Sequence, residues 1–152
     1  DLTAIGLSMD DNMRAELCAA TVENTAAAYP EFCGAVLHSD RESQYTSASY
    51  RAMLNECGVR QSMNSDGGRC HDNARCESIR GLVTRMKNEL FYSRGRRSTD
   101  YTTEQLKTMI WRYYMSYWNN RRICSSIGGM PPAEKRRRYY SDKKGKSAAA
   151  ME

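Results

Sequence analysis

A short apolar run at residues 34–38 constrains the fold more than any other feature of this chain. It reads Gly-Ala-Val-Leu-His and is followed at once by Ser39-Asp40, and a run of this length before turn-forming residues is typical of a buried β-strand. The segment before it, from Asp11 to about Ala28, has a helical pattern that is stopped by Pro30. A strand placed between helices indicates an α/β fold.

The rest of the chain continues this alternation. The patterns predict further strands at residues 2–8 and 59–63, and further helices at about 46–58, 72–92 and 102–118. Regular structure should end at the Gly-Gly-Met-Pro-Pro run, residues 128–132. We therefore expect a core domain at residues 1–133 and a basic, disordered tail at 134–152.

Charge is distributed unevenly along the chain. The net charge of the whole sequence is +5, but residues 112–146 hold ten Lys/Arg against two Asp/Glu, whereas residues 1–111 hold 13 against 15. A near-neutral body with a basic end suits a polyanionic partner such as DNA. A solvated tail with no partner explains the charge alone equally well.

The cysteines and histidines argue against a zinc site. Six cysteines are scattered without a CxxC pair, and there are only two histidines, His38 and His71. The sequence shows neither a signal peptide nor an apolar run of membrane length. Reduced thiols in a cytoplasmic protein without a membrane partner are therefore the preferred interpretation.

Two carboxylates stand where they could hold a metal ion. Asp40 directly follows the predicted strand, and ligands of α/β sheets gather at the carboxyl ends of strands. Glu77 falls near the start of a predicted helix, on the polar face with Arg80 and Arg85, opposite the apolar stripe. Each has a simpler explanation: Asp40 as a turn cap, and Glu77 as an exposed acid on a solvated face.

Several motifs resemble one enzyme family. Residues 37–47 resemble the segment around the second catalytic aspartate of insertion-sequence transposases of the OrfB type, which belong with the retroviral integrases in the DDE superfamily. Residues 61–63 and 67–78 resemble the segment around the catalytic glutamate of that family. The likeness continues, in the same order, at residues 86–90, 110–114, 117–122 and 129–132.

This resemblance implies a ribonuclease-H-like integrase core with an extra C-terminal helix. It implies that Asp40 and Glu77 are catalytic and bind two Mg²⁺ (or Mn²⁺) ions together with a further aspartate, as hard oxygen ligands suit these ions. That first aspartate should lie on a strand upstream of Asp1. We therefore expect an N-terminally truncated, incomplete core at residues 1–133 that lacks the first strands and is inactive alone.

The resemblance further implies metal-dependent cleavage and transfer of DNA strands. Five basic residues are candidates for DNA contact: Arg80, Arg85, Lys87, Arg121 and Arg122. We expect a homo-oligomer in the bacterial cytoplasm, associated with the nucleoid. The alternatives are a non-catalytic DNA-binding or oligomerisation remnant of a transposase, and a structural α/β domain with an incidental basic tail. Glu42 departs from the family, which usually has glycine there. The aromatic residues of the predicted 102–118 helix are expected to be core.

Overall fold

The computed structural model describes residues 1–12, 14–64 and 74–149. For residues 74–80 and 144–149 it describes the backbone only. The described residues form two compact units. We call Gly6–Arg96 the N-terminal unit, and Asp1–Ile5 together with Arg97–Glu152 the C-terminal unit. The main elements, in chain order, are α1 (Ala15–Ala28), β1 (Val36–Ser39), α2 (Ser43–Thr46), α3 (Ala48–Glu56), β2 (Arg60–Met63), α4 (Ala74–Leu90), α5 (Thr103–Trp111) and α6 (Pro132–Ala149).

The two strands pair in parallel, and their connection contains α2 and α3. The register places Val36 opposite Arg60 and Ser39 opposite Met63. Parallel strands end at the same edge of a sheet, so the residues after Ser39 and Met63 leave side by side. This strand–helix–strand arrangement agrees with the predicted α/β class.

A small apolar core holds the N-terminal unit together. Five buried residues of α1, α3 and the start of β2 form it: Val22, Tyr50, Met53, Leu54 and Val59. Leu37 of β1 packs against this cluster, whereas its neighbour Val36 is 55% exposed. Alternate side chains of a strand face opposite sides, so Leu37 and Val36 lie on different faces of β1. The prediction of a buried strand is therefore wrong for Val36.

The turn between α3 and β2 favours glycine. Ser47 caps α3, close to the predicted start of this helix at about residue 46, and its Oγ accepts a hydrogen bond of 3.2 Å from the Tyr50 N–H. At the other end Gly58 has φ +66°, a left-handed conformation that L side chains rarely adopt. A Cβ at Gly58 would also lie 2.6 Å from Cys33 Sγ. Backbone conformation and the contact with Cys33 therefore both disfavour a side chain at residue 58.

The first predicted strand is wrong. Residues 1–10 have no regular secondary structure, and α1 begins at Ala15, not directly after the predicted cap Asp11. The peptide groups of Ala4 bond to the side chain of Asn119 and so have no need of a strand partner. Gly6 instead lies against α1, where a Cβ would collide with Thr25 Oγ1.

In the C-terminal unit, α5 begins as predicted. Thr102 and Gln105 form a reciprocal capping box, in which each side chain bonds to the other residue's backbone N–H. After Trp111 the helix continues as a π-helix over Arg112–Trp118. Hydrogen bonds in a π-helix span five residues, so Tyr113 and Trp118, five apart, come to one side. Both are buried, with 3% and 2% exposure.

The aromatic residues of this helix divide into two groups. Tyr113 and Trp118 are core residues, as predicted, and the Tyr113 and Tyr117 rings lie 5.5 Å apart. The prediction is wrong for Trp111 and Tyr117, which are 52% and 40% exposed. The wider π-helical turn accounts for the division, because it changes which residues share a face.

Where we expected a disordered tail, the structure has the helix α6. Glu134 forms ion pairs with Arg137 and Arg138 at 3.0 and 2.8 Å. Pairs at these spacings stabilise a helix, and Pro132 suits its first position. The boundaries of the compact units along the chain fall between residues 5 and 6 and between residues 96 and 97, whereas the predicted boundary is at residue 133.

Candidate functional site

Asp40 lies at the joint carboxyl edge of the two parallel strands. It directly follows β1, as predicted, and is half-buried. Its Oδ1 accepts a hydrogen bond of 3.3 Å from the backbone N–H of Glu42, so part of the turn-capping explanation is correct. This long hydrogen bond is the only one that the described residues make with the Asp40 carboxylate. The position suits a metal ligand as well as a turn cap.

Glu42 occupies its position without backbone strain. Its φ of −61° and ψ of 152° are ordinary extended values that any residue adopts. It is exposed at the start of α2. The glycine that the resemblance leads one to expect here is therefore not required by the backbone, and Glu42 adds a charge two residues from Asp40.

A histidine joins the two strands beside Asp40. His38 Nδ1 lies 3.0 Å from Ser62 Oγ, and His38 Nε2 lies 3.1 Å from Asn64 Oδ1. Ser62 is the register partner of His38, and Asn64 stands two residues further along. None of His38, Ser62 and Asn64 is among the site residues predicted from the sequence. The signal that could have found them is the alternation of the two strands, which places these side chains on one face.

The loop that carries Asp40 is held at its far end too. Gln61 Nε2 donates a 2.7 Å hydrogen bond to the Tyr45 carbonyl, which ties α2 to β2. Burial, the nearby Cys18 thiol and the charge of Asp40 all raise the pKa of Tyr45. The Tyr45 phenol therefore stays protonated at neutral pH and adds no further negative charge beside Asp40.

The other carboxylate candidate lies on α4. Glu77 is in the first turn of this helix, close to the predicted start, but its side chain and that of Arg80 lie outside the described residues. Further along, Met86 is buried at 5%, and Arg85 and Lys87 are exposed, as the helical pattern predicted. The polar face of α4 thus presents cations to solvent.

No complete metal cage is formed by described side chains alone. Among the residues that the structure describes, no three His, Cys, Asp or Glu side chains come together to hold a metal ion. Asp40, a carboxylate in a half-open position, fits one ligand of a hard divalent ion. A cage that includes Asp40 would need a side chain from outside the described set, and Glu77 belongs to that group.

Comparison with known proteins agrees with the motifs. Residues 3–68 match the model of the integrase core domain family, a range that includes Asp40 and ends before Glu77. The transposase for insertion sequence element IS629 of Shigella sonnei is 37% identical over 101 residues, which are 66% of this chain and 31% of that protein. An uncharacterized transposase-like protein of Haemophilus influenzae is 38% identical over 97 residues, 64% of this chain and 41% of that protein.

Residues 3–68 thus match an integrase core, and several similar proteins are named transposases of insertion sequences. A further similar protein is the uncharacterized 31 kDa protein of insertion element IS600 from Shigella sonnei, 33% identical over 100 residues, 66% of this chain and 34% of that protein. The matched part of this chain spans about a third of the length of these curated relatives.

Two of the predicted DNA contacts lie in the C-terminal unit. Arg121 is exposed directly after the helix that carries Trp118. Arg122 is half-buried, and its guanidinium stands 5.8 Å from the centre of the Trp118 ring. A cation at this distance from an indole ring is attracted to it. Arg121 is therefore more accessible to a DNA phosphate than Arg122.

The described part of helix α6 carries several exposed basic side chains. Lys135, Arg137, Arg138 and Lys143 are exposed, and Arg136 pairs with Asp1 at 3.7 Å. Glu134 partly neutralises this charge, since hydrogen bonds from Arg137 and Arg138 lower the pKa of its carboxyl group. No helix in the described part of the chain is both long and apolar enough to cross a membrane.

Proposed function

We propose that this chain forms part of the ribonuclease-H-like catalytic core of a DNA transposase that cleaves and transfers DNA strands. Asp40 and Glu77 are the proposed catalytic carboxylates and ligands of two Mg²⁺ or Mn²⁺ ions. The observation that carries the proposal is the position of Asp40 at the carboxyl edge of two parallel strands, inside the matched integrase core. The chain spans about a third of its relatives, so the activity of the whole protein is part of the proposal.

The chemistry requires oxygen ligands in fixed places. Asp40 and Glu77 would hold the divalent ions, which would supply activation of the attacking oxygen and stabilisation of the leaving oxygen at a phosphodiester. The chain's part is to hold the Asp40 carboxylate still, with β1 on one side and the anchored helix α2 on the other. A fixed carboxylate binds without first losing conformational freedom.

Basic residues supply the contact with DNA. We propose that Arg80, Arg85, Lys87 and Arg121 contact DNA phosphates, and that Arg122, held at Trp118, contributes mainly its charge. The exposed positions of Arg85, Lys87 and Arg121 support this proposal. We also propose that the protein self-associates and works in the cytoplasm at the nucleoid, which light scattering and fluorescence microscopy of the tagged chain would check.

The metal site can be tested in the chain itself. We expect Mn²⁺ binding, followed by electron paramagnetic resonance, to weaken at least tenfold in Asp40→Asn and in Glu77→Gln. Asp10→Asn is a matched control, because Asp10 is exposed and also bonds to a nearby backbone N–H, that of Asp11 at 2.7 Å. Equal Mn²⁺ affinity in Asp40→Asn and Asp10→Asn would overturn the assignment.

Catalysis needs a longer protein for its test. A chimaera would join this chain to the part of the IS629 transposase that lies outside the matched segment. Mg²⁺-dependent nicking of a plasmid with the element's ends should fall more than a hundredfold in Asp40→Asn and in Glu77→Gln, and should persist in Asp10→Asn. A nicking rate that is unchanged in Asp40→Asn would exclude the catalytic role of Asp40.

The basic helix α6 favours a second candidate function. A transposase remnant that binds DNA or partner subunits without catalysis would need α6 but not Asp40. Removal of residues 134–152 should then abolish DNA binding, whereas Asp40→Asn should change neither DNA binding nor Mn²⁺ binding. The two candidates therefore differ in a single variant, Asp40→Asn.

A further inference from the structure

The hydrogen bonds of His38 determine how the Asn64 amide is oriented. Oδ1 of an amide only accepts hydrogen bonds, so His38 Nε2, 3.1 Å away, must carry the proton and donate it. In the neutral ring Nδ1 then accepts from the Ser62 hydroxyl at 3.0 Å. With its oxygen engaged, Asn64 presents its Nδ2 donors elsewhere, and they have no acceptor among the residues that the structure describes.

These donors lie at the edge of the sheet that carries Asp40. Asn64 follows Met63, Asp40 follows Ser39, and these two strand-end residues are register partners. Arg41, the residue after Asp40, reaches across the edge, with Nη1 3.5 Å from the Asn64 carbonyl oxygen. Asn64 is half-buried and Arg41 is exposed, so this part of the edge is open to a ligand.

The edge therefore combines one carboxylate with two kinds of N–H donor. A carboxylate alone repels a phosphodiester, whereas amide and guanidinium N–H groups beside it donate hydrogen bonds to the phosphate oxygens. Orientation by His38 means that the amide would lose little freedom when a phosphate binds.

We propose that Asn64, oriented by His38, donates a hydrogen bond to the phosphate of the DNA strand bound at Asp40. This inference rests on the proposed function and adds a binding residue to it, with His38 as a positioning residue. A purely structural bridge between the strands is the competing explanation, and it would require only Asn64 Oδ1.

The substitution Asn64→Asp separates the two explanations. Aspartate keeps an oxygen for His38 Nε2–H but replaces the amide donors by a second oxygen with negative charge. A structural bridge would survive this change, so DNA affinity would stay as in the control. A phosphate contact would be lost, and we expect affinity for a fluorescein-labelled DNA duplex in Mg²⁺ to fall about tenfold or more.

Asn55→Asp is the matched control, since Asn55 is exposed on α3 and the substitution adds the same charge. We expect a change of less than about twofold there, as a lone exposed charge is screened by salt. Equal losses in the two variants would overturn the proposal, because they would reflect net charge only.

Nuclear magnetic resonance tests the orientation without DNA. Long-range ¹H–¹⁵N spectra should show the Nε2–H tautomer of His38, and the signals are assigned with His71→Asn, as the chain has two histidines. The tautomer should persist in Asn64→Asp and become mixed in Asn64→Ala. An Nδ1–H tautomer in the unchanged chain would overturn the proposed orientation.

The outcomes distinguish this inference from the proposed function. If Asp40→Asn weakens Mn²⁺ binding but Asn64→Asp binds DNA like Asn55→Asp, only the role of Asn64 fails. If the unchanged chain binds neither DNA nor Mn²⁺, both fail.

Discussion

The side-chain amide of Asn119 pairs with the peptide of Ala4 as a strand would. Asn119 Oδ1 accepts from the Ala4 N–H at 2.9 Å, and Asn119 Nδ2 donates to the Ala4 carbonyl at 2.8 Å. The neighbouring Trp118 Nε1 donates to the Leu2 carbonyl at 3.0 Å. Both side chains are buried and both recognise backbone groups, so they hold residues 1–5 in the C-terminal unit whatever side chains those residues carry.

Asn119→Ala should destabilise the C-terminal unit by about 2 kcal/mol, because two hydrogen bonds are lost and the Ala4 peptide is left without partners. Tryptophan fluorescence during urea unfolding measures this directly, since both tryptophans, Trp111 and Trp118, lie in this unit. Asn119→Asp should show a smaller loss, as it can still accept from the Ala4 N–H. The neighbouring exposed Asn120 is the control, and a larger effect of Asn120→Ala would contradict the prediction.

Gly6→Ala should destabilise the N-terminal unit by about 1–3 kcal/mol. The new methyl group would collide with Thr25 Oγ1, a side chain only 4% exposed and bonded to the Thr21 carbonyl. Thermal unfolding followed by circular dichroism gives the effect. If the collision is the cause, Gly6→Ala should cost less when combined with Thr25→Ala than when made alone, and additive effects would exclude it.

Alkaline pH should weaken the N-terminal unit through Tyr50. Burial, and secondarily the Cys18 thiol, raise the pKa of Tyr50 from 10.0 to about 12. Because the folded protein holds this proton more tightly, the contribution to stability is complete below pH 10 and is lost as the pH rises towards 12. Tyr50→Phe should reduce the loss of stability between pH 10 and about 12, whereas Tyr92→Phe, at an exposed residue, should not. Urea unfolding at a series of pH values checks it.

Glu134→Gln should strengthen DNA binding and make it more dependent on salt. The substitution releases Arg137 and Arg138 from their ion pairs, and each additional phosphate contact steepens the logarithmic salt slope by about one. Asp142→Asn removes the same charge from α6 without releasing an arginine, since Asp142 has no ion pair among the described residues. Fluorescence anisotropy at several salt concentrations should therefore show a steeper slope for Glu134→Gln than for Asp142→Asn.

Local interactions explain why part of the structure was predictable. Ser47 and the Thr102–Gln105 box cap their helices through groups only three residues apart, so the pattern is visible in the sequence. Asp40 at a strand end follows from the short Gly-Ala-Val-Leu-His run at residues 34–38 that precedes it. The high charge of residues 134–152 predicts disorder, so the helix α6 is not expected from the sequence. The ion pairs of Glu134 with Arg137 and Arg138 nevertheless have this local spacing.

The sequence by itself determined the alternation of helices and strands from α1 to α4, the caps of α3 and α5, the placement of Asp40 after a strand and the family motifs, because each depends on neighbouring residues. Only the tertiary structure decided that Asn119 binds Ala4, 115 residues away, and that His38 joins Ser62 and Asn64 across the sheet. A polar side chain can form hydrogen bonds with many groups, and tertiary packing decides which of them lies within reach. For the same reason Ala4, in the predicted strand at 2–8, bonds to the side chain of Asn119 and not to a neighbouring strand.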